Sequence, residues 1–488
     1  MNKLSRDLFF STGFSVLNVL FNFWLIREAE YLFTAASLSV FMLFRRVGPT
    51  FTNLSQLGTS QALIRYGSIH INDKTRIKTY FFISFIGWLL STLLMTCIYF
   101  LFGEELELLI YNNQKSKEVY MLYTFWYVSI LHLSYLVQPY FLTQRKIIVY
   151  NIINMLNASV IMIVVFMFLG PSPKLIAFFR HSLFAMSLLQ ISLMLFIVVE
   201  LKMHKLPSLK MIKDYGKEFY LYGMPRSIIT FSDMLLLTIG SLLVVNGEAK
   251  IASFLIALTL ARVVMIVLQP VSKLSSVVIG NNNTKAKEKR AINIMTGAIL
   301  YSTSLLVIIL YNWIDVVLEF WLSNKEIIGD VKSVFQILAL GLIPYSIFYG
   351  LKGIVEIKFY KPYNLYTLTI AILVHALFFY IFGELNYSIL QSLSFSLLFS
   401  FLIMGGLTII WCRKYFIKPK YFRFDILLLI VVVLFTANHY ASLTYDSIFI
   451  CILSSFISVI VYITALYYFN IDFVKDTMQI FSKKKKGV

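Results

Sequence analysis

Residues 41–66, FMLFRRVGPTFTNLSQLGTSQALIRY, set Arg45 and Arg46 in the middle of an apolar segment running from about Leu32 to Ile64. That segment is long enough to cross a bilayer, because about 20 helical residues at 1.5 Å each span the hydrocarbon. A guanidinium cannot shed its proton to escape the cost of burial. One such group at the bilayer centre costs roughly 2.5–3.5 kcal/mol on insertion scales. Two in succession therefore require water, an anion or protein acceptors.

The rest of the composition agrees with a membrane solvent. Of 488 residues, 59% are hydrophobic and 14% charged, against about half and a quarter in soluble proteins. The formal net charge of +19 does not point to nucleic acid, since most basic residues fall in short loops of one parity. Cys97, Cys412 and Cys451 lie in or beside apolar segments without metal-ligand spacing, and read as packing residues. Residues 8–26 resemble a secretory signal, but Arg27-Glu28 follows in place of a small-residue cleavage site, so a retained first helix is expected.

Hydropathy expects an all-α integral membrane protein of fourteen transmembrane spans: 8–26, 32–64, 79–102, 120–142, 148–169, 175–199, 219–245, 251–279, 292–313, 332–355, 364–382, 388–411, 425–441 and 447–469. Spans two and eight exceed one crossing and must tilt, kink or project. Lys/Arg bias puts both termini and alternate loops on the cytoplasmic side, among them Lys202 to Lys217, Lys285 to Arg290 and the tail Lys483 to Lys486. The opposite loops are acidic, as at Glu104, Glu105 and Glu107.

A faint repeat links spans one to six with seven to twelve. FFSTG at 9–13 matches FYLYG at 219–223, and Arg46 matches Arg262. Pro49 matches Pro270, and Gln138-Pro139-Tyr140 matches Ile343-Pro344-Tyr345. Six is even, so the halves are expected to be parallel pseudo-repeats with a substrate site between them. The expected organisation is an N-terminal lobe (1–200), a cytoplasmic linker (201–218), a C-terminal lobe (219–412), and two extra spans with a basic tail (413–488).

Within spans the charges are Arg45, Arg46, Arg180, Arg226, Asp233, Arg262, Lys273 and Lys352. Arg180 and Lys352 lie near span ends and can snorkel. At 100° per residue, Arg46, Thr50, Asn53 and Ser60 form one stripe, and Arg262, Gln269, Lys273 and Ser276 another. Span one adds Ser11, Ser15, Asn18 and Asn22, and in span seven Arg226 and Asp233 share a face. These stripes are expected to line a wet, cationic cavity. The competing structural reading has the arginines bonded to helix-end carbonyls or to Asp233, yet one carboxylate cannot neutralise the set. Arg45 and Arg46 diverge by about 100°, and the repeat favours Arg46 for the cavity. Asp233 is either an arginine's structural partner or a site for a coupling proton or Na+. His132, His181 and His375 lack ligand spacing, and no cofactor motif is evident.

QLGTSQALIRY at 56–66 before a basic loop, and Tyr222-Gly223-Met224-Pro225 with Asp233 beyond, resemble the polysaccharide-transporter branch of the multidrug/oligosaccharidyl-lipid/polysaccharide exporter superfamily. Where that branch often has arginine after the aspartate, Met234 stands here. The resemblance implies a flippase that moves an undecaprenyl-pyrophosphate-linked repeat unit, of O-antigen (lipopolysaccharide) or capsule type, across the bacterial inner membrane by alternating access. It implies membrane lipids and the lipid-linked glycan as partners, followed by a glycan polymerase and assembly proteins. Arginine suits a diphosphate because its planar fork donates two charge-assisted bonds. Arg46 and Arg262 are the expected headgroup ligands, supported by Arg226, Lys273, Arg45, Asn53, Gln269, Asn18 and Asn22. The alternatives are a flippase for the peptidoglycan precursor, a cation-coupled drug exporter, and a membrane polymerase or ligase, which would need larger periplasmic loops.

Overall fold

In hydrocarbon every backbone donor and acceptor must be met within the chain, which a helix does by itself. The computed structural model describes residues 3–111, 120–144, 146–171, 173–242, 250–265, 285–359, 361–416, 422–444 and 448–469. No strand occurs among these residues. The first helices are α1 (Lys3–Leu32), α2 (Ala35–Ser55), α3 (Thr59–Ile69), α4 (Lys74–Tyr111) and α5 (Tyr120–Thr143). Next come α6 (Ile147–Met155), α7 (Ile161–Leu169), α8 (Leu175–Glu200), α9 (Leu209–Leu242) and α10 (250–265). The remainder are α11 (Lys285–Trp321), α12 (Lys325–Lys358), α13 (Tyr363–Glu384), α14 (Ile389–Cys412), α15 (Phe424–Thr444) and α16 (Ile448–Tyr468). Among the described residues, eight helical stretches are long and apolar enough to cross a membrane. The chain is thus an all-α, multi-pass membrane protein.

Span two is two helices. Thr34 caps α2 by accepting from Ser37 N, and α2 runs through Pro49 to Ser55. The chain then turns at Leu57 (φ 49°) and Gly58 (φ 76°) before α3 begins. Gly58 is required twice over. Its positive φ excludes an ordinary side chain, and a Cβ there would overlap the Gly223 carbonyl. The helical stripe expected over Arg46, Thr50, Asn53 and Ser60 therefore ends at Asn53, because the turn resets the register before Ser60.

Span five is interrupted by a π turn at Leu156–Val160 between α6 and α7. Such turns shift the i→i−4 ladder and open carbonyl oxygens to outside donors. Helix α9 starts at Leu209, ten residues before the expected span seven, so the end of the basic linker is helical.

The chain divides into two compact units, Met1–Ile256 and Ala257–Val488. In the first, α5 packs on α2, α3, α4 and α8, and α9 packs on α2, α3 and α4. The repeat pairs α9 with α1 by sequence. The lobe division drawn from that repeat is a correspondence of sequence, whereas the units are defined by contact. Aromatic rings fill the first unit: Phe44 stacks between Tyr127 (4.7 Å) and Phe179 (4.2 Å). Tyr80 stacks between Tyr66 (5.4 Å) and Phe219 (5.7 Å). A buried polar chain ties α5, the π turn and α8. Gln138 Nε2 donates to Ser134 Oγ (2.8 Å), Asn157 Nδ2 to the same oxygen (2.7 Å), and Gln190 Nε2 to Asn157 Oδ1 (3.0 Å). Such interhelical bonds average only about 0.6 kcal/mol in membranes. Their larger effect is to fix which faces meet.

In the second unit α12 packs against α11 and α14, and α13 against α14. Gly405 of α14 lies so close to Pro344 of α12 that a Cβ would meet the proline ring at 2.6 Å, the close approach that small residues permit between membrane helices. The two C-terminal helices rest on α11. Trp313 Nε1 donates to Ser455 Oγ (2.9 Å), and Tyr462 OH donates to Tyr301 O (3.0 Å).

Candidate functional site: arginines on α2, α3 and α9

The adjacent arginines of α2 have separate surroundings. Arg45 Nη2 donates to Asn22 Oδ1 of α1 and to Ala158 O of the π turn (3.2 Å). Its guanidinium also lies 5.6 Å from the Phe41 ring centroid. Asn22 Nδ2 in turn donates to Asn18 O (2.7 Å) and Asn18 Oδ1 (3.2 Å). Asn18 and Asn22 thus join Arg45 in one network that fastens α1, α2 and the π turn. All three residues are engaged by protein in this structure.

Arg46 is half-buried, and its carbonyl accepts from Thr50 Oγ1 one turn on (2.9 Å). Thr50 Oγ1 also lies 3.1 Å from Thr238 Oγ1 of α9. Asn53 is buried; its carbonyl accepts from Ser227 Oγ of α9, and its Oδ1 accepts from Gln56 Nε2 (3.1 Å). The face of α2 that carries Arg46 therefore packs on α9. Asp233, also on α9, is buried at 6% exposure. Arg226 turns away from it: Nη1 donates to Tyr222 O (3.0 Å), back towards the start of α9.

Tyr222 is the meeting point that spacing alone did not disclose. The Arg226 guanidinium sits 3.7 Å from the Tyr222 ring centroid, and that of Arg65, from α3, sits 4.4 Å from the same centroid. Arg65 is exposed and Arg226 half-buried. No carboxylate lies within ion-pair distance of either among the described residues. Two cations on one ring are attracted by its face and repel each other, so an external anion between or beside them is favoured. Arg65 stands at the end of the quoted stretch 56–66. The missing signal was the turn at Gly58, whose backbone contact with Gly223 brings α3 against α9.

Arg262 is half-buried on α10 in the second unit. Gln269 and Lys273 lie outside the described residues, as do Pro270 and Ser276. Arg65 and Arg226, presented on helices of a multi-pass bundle without counter-ions among the described residues, suit recognition of a phosphate or carboxylate group.

Comparison with solved structures agrees with a class of membrane transporter folds. Neither a family model nor a curated protein sequence matches the chain. Its fold is similar to those of solved multi-helix membrane transporters. The lipid II flippase MurJ in an inward closed conformation superposes with a TM-score of 0.71 at 15% identity, covering 96% of this chain and 99% of that one. An inward-facing multidrug resistance MATE family transporter gives 0.61 at 16% identity, covering 81% and 94%. A superfamily transporter from Pyrococcus furiosus, described as having a binding pocket of reversed polarity, gives 0.54 at 16%, covering 84% and 94%.

Proposed function

We propose that this chain is a flippase for an anionic lipid-linked oligosaccharide of the undecaprenyl-pyrophosphate class, working in a bacterial inner membrane with both termini cytoplasmic. The observation that carries this reading is the pair Arg65 and Arg226 on the Tyr222 ring with no carboxylate of the described residues in ion-pair range. A diphosphate brings the missing negative charge and offers oxygens for the forked donors. The prenyl chain remains in hydrocarbon while the headgroup is handed along cationic side chains, Arg46 among them. Arg262, the sequence counterpart of Arg46, is assigned the same headgroup chemistry. The protein acts as a carrier without a catalytic step or cofactor. Asp233 serves either as a structural acid or as a coupling site for a proton or Na+. The glycan is of O-antigen or capsule type, received next by a polymerase and its assembly proteins.

The test is flipping of a fluorescent prenyl-diphosphate oligosaccharide in proteoliposomes. Arg65→Ala with Arg226→Ala is expected to cut the rate at least about tenfold, the worth of roughly 1.4 kcal/mol, with unchanged insertion. An unchanged rate in the double variant rejects the site. A second reading, a flippase for the peptidoglycan precursor, is favoured by the fuller superposition on MurJ than on the MATE transporter. Lethality on depletion of the chain separates it from the first, because an accessory glycan is dispensable.

A further inference from the structure

The segment that joins α8 to α9 presents a surface of its own, and the fold holds it in place. Lys202 turns left-handed (φ 50°), and Met203 N donates back to Val198 O (3.0 Å). Met203 is buried in the cluster that contains Ile77 and Ile197. Ser208 then opens α9. Its Oγ accepts from Met211 N (3.4 Å), and its carbonyl accepts from Ile212 N (3.0 Å).

Helical geometry sorts the first turns of α9 into faces. Ile212, Tyr215 and Phe219 pack on the same core as Ile77 and Tyr80. Lys210, Lys213 and Lys217, at i, i+3 and i+7, fall within about 60° of one another on the opposite side. All three are exposed, as is Lys205 before them. None of the four has a carboxylate in ion-pair range among the described residues. Asp214 and Glu218 border the stripe on one side, so the surface keeps an excess of positive charge. Leu209 borders it on the other side and is 85% exposed, and Leu206 ahead of it is 68% exposed.

Two contacts set the depth of this surface. Lys78 Nζ of α4 donates to Lys202 O (2.8 Å), and the Arg76 guanidinium lies 5.5 Å from the Tyr215 ring centroid. Arg76 and Lys78 stand where the apolar run of α4 begins, at the edge of the hydrocarbon. The stripe therefore lies level with lipid headgroups. At that depth a lysine reaches phosphate and a leucine reaches the acyl boundary. Single exposed leucines are ordinary on a surface that meets water. Two of them beside a lysine stripe at headgroup depth are the pattern of an interfacial helix.

We propose that residues 205–217 dock on anionic phospholipid, with Lys210, Lys213 and Lys217 on the phosphates and Leu206 and Leu209 seated at the acyl boundary. The proposal rests on the multi-pass fold and not on the flippase reading, so each can fail alone. The test is hydrogen exchange of the full-length chain in nanodiscs of phosphatidylcholine, alone or mixed with phosphatidylglycerol. Peptides covering 203–218 are expected to exchange severalfold more slowly in the mixed discs, while peptides of α5 exchange equally in both. Lys210→Gln with Lys213→Gln and Lys217→Gln, all at exposed positions, should abolish that difference. Arginine at the same three positions should preserve it. Leu206→Ser with Leu209→Ser should reduce it. Equal exchange of the native chain in the two bilayers overturns the proposal and leaves the stripe to water or to a soluble partner. A difference that persists in the glutamine variant also overturns it, because the lipid then acts elsewhere. A difference untouched by the serine variant overturns the seating of the leucines.

Discussion

Arg45 and Arg46 are neighbours in sequence but do different work, and the reason is the helical angle between them. About 100° of rotation turns Arg45 to α1 and the π turn, while the face that carries Arg46 packs on α9. Arg45 makes charge-assisted bonds to Asn22 and Ala158 O, each worth about 1.5–3 kcal/mol where the donor is charged. Arg45→Ala is therefore expected to lower the thermal midpoint measurably in detergent. Arg65→Ala, at an exposed position, should change stability by no more than about 0.5 kcal/mol while impairing transport. Thermal unfolding of the purified variants checks both, and the reverse order of stabilities contradicts the assignment. Tyr222 gives a second contrast. Its ring has two guanidiniums close to its centroid, and that attraction needs the aromatic system but not the hydroxyl. Tyr222→Phe should flip substrate at the native rate and Tyr222→Leu more slowly. Equal rates in the two variants would show that the ring does not position the cations. The sequence disclosed that arginines lie within spans because hydropathy reports what avoids water. It could not disclose Arg45's partner Ala158, 113 residues on, or the role of Arg65, which needed the packing of α3 on α9.

At the scale of elements, the positions of the spans were legible and their interruptions were not. Apolar runs such as 120–142 and 175–199 became α5 and α8, each starting where expected and ending one residue later. The break in span two was flagged only by excess length. Gly58 alone could not date it, since glycine is frequent in membrane helices. The π turn has no compositional mark, as LNASV reads as ordinary helix. The polar run 209–218 read as linker because a solvated helix carries no apolar signal of crossing. What fixes the α2–α3 break is the left-handed turn against Gly223. Gly58→Ala combines left-handed strain of roughly 1–2 kcal/mol with a backbone overlap, so little folded protein is expected. Gly13→Ala, where a Cβ meets nothing within 4 Å, should be neutral or slightly stabilising. The yield of monodisperse protein on size-exclusion chromatography measures both. Comparable yields would mean that α3 can move off α9.

For the whole molecule, the fold alone does not choose the cargo, because one architecture superposes on both a lipid II flippase and multidrug transporters. Fold and function are separable, and the site must decide. Charge is the discriminating property. A pump for organic cations needs carboxylates where its cargo sits, and the sequence sets one acid, Asp233, deep within a span, compared with several arginines and Lys273. On the proposed flippase reading, a passage of that sign repels cationic dyes and draws diphosphates, with attraction that salt weakens over a Debye length of about 8–10 Å. In proteoliposomes, initial flipping of the prenyl-diphosphate probe should slow as ionic strength rises. Expression in an efflux-deficient host should leave ethidium sensitivity unchanged. Arg65→Glu with Arg226→Glu should abolish transport of the anionic lipid while leaving the helices assembled, as read by circular dichroism and elution volume. If the native chain instead protected cells from cationic dyes, Asp233 rather than the arginine pair would mark the cargo site, and the flippase reading would give way to an exporter.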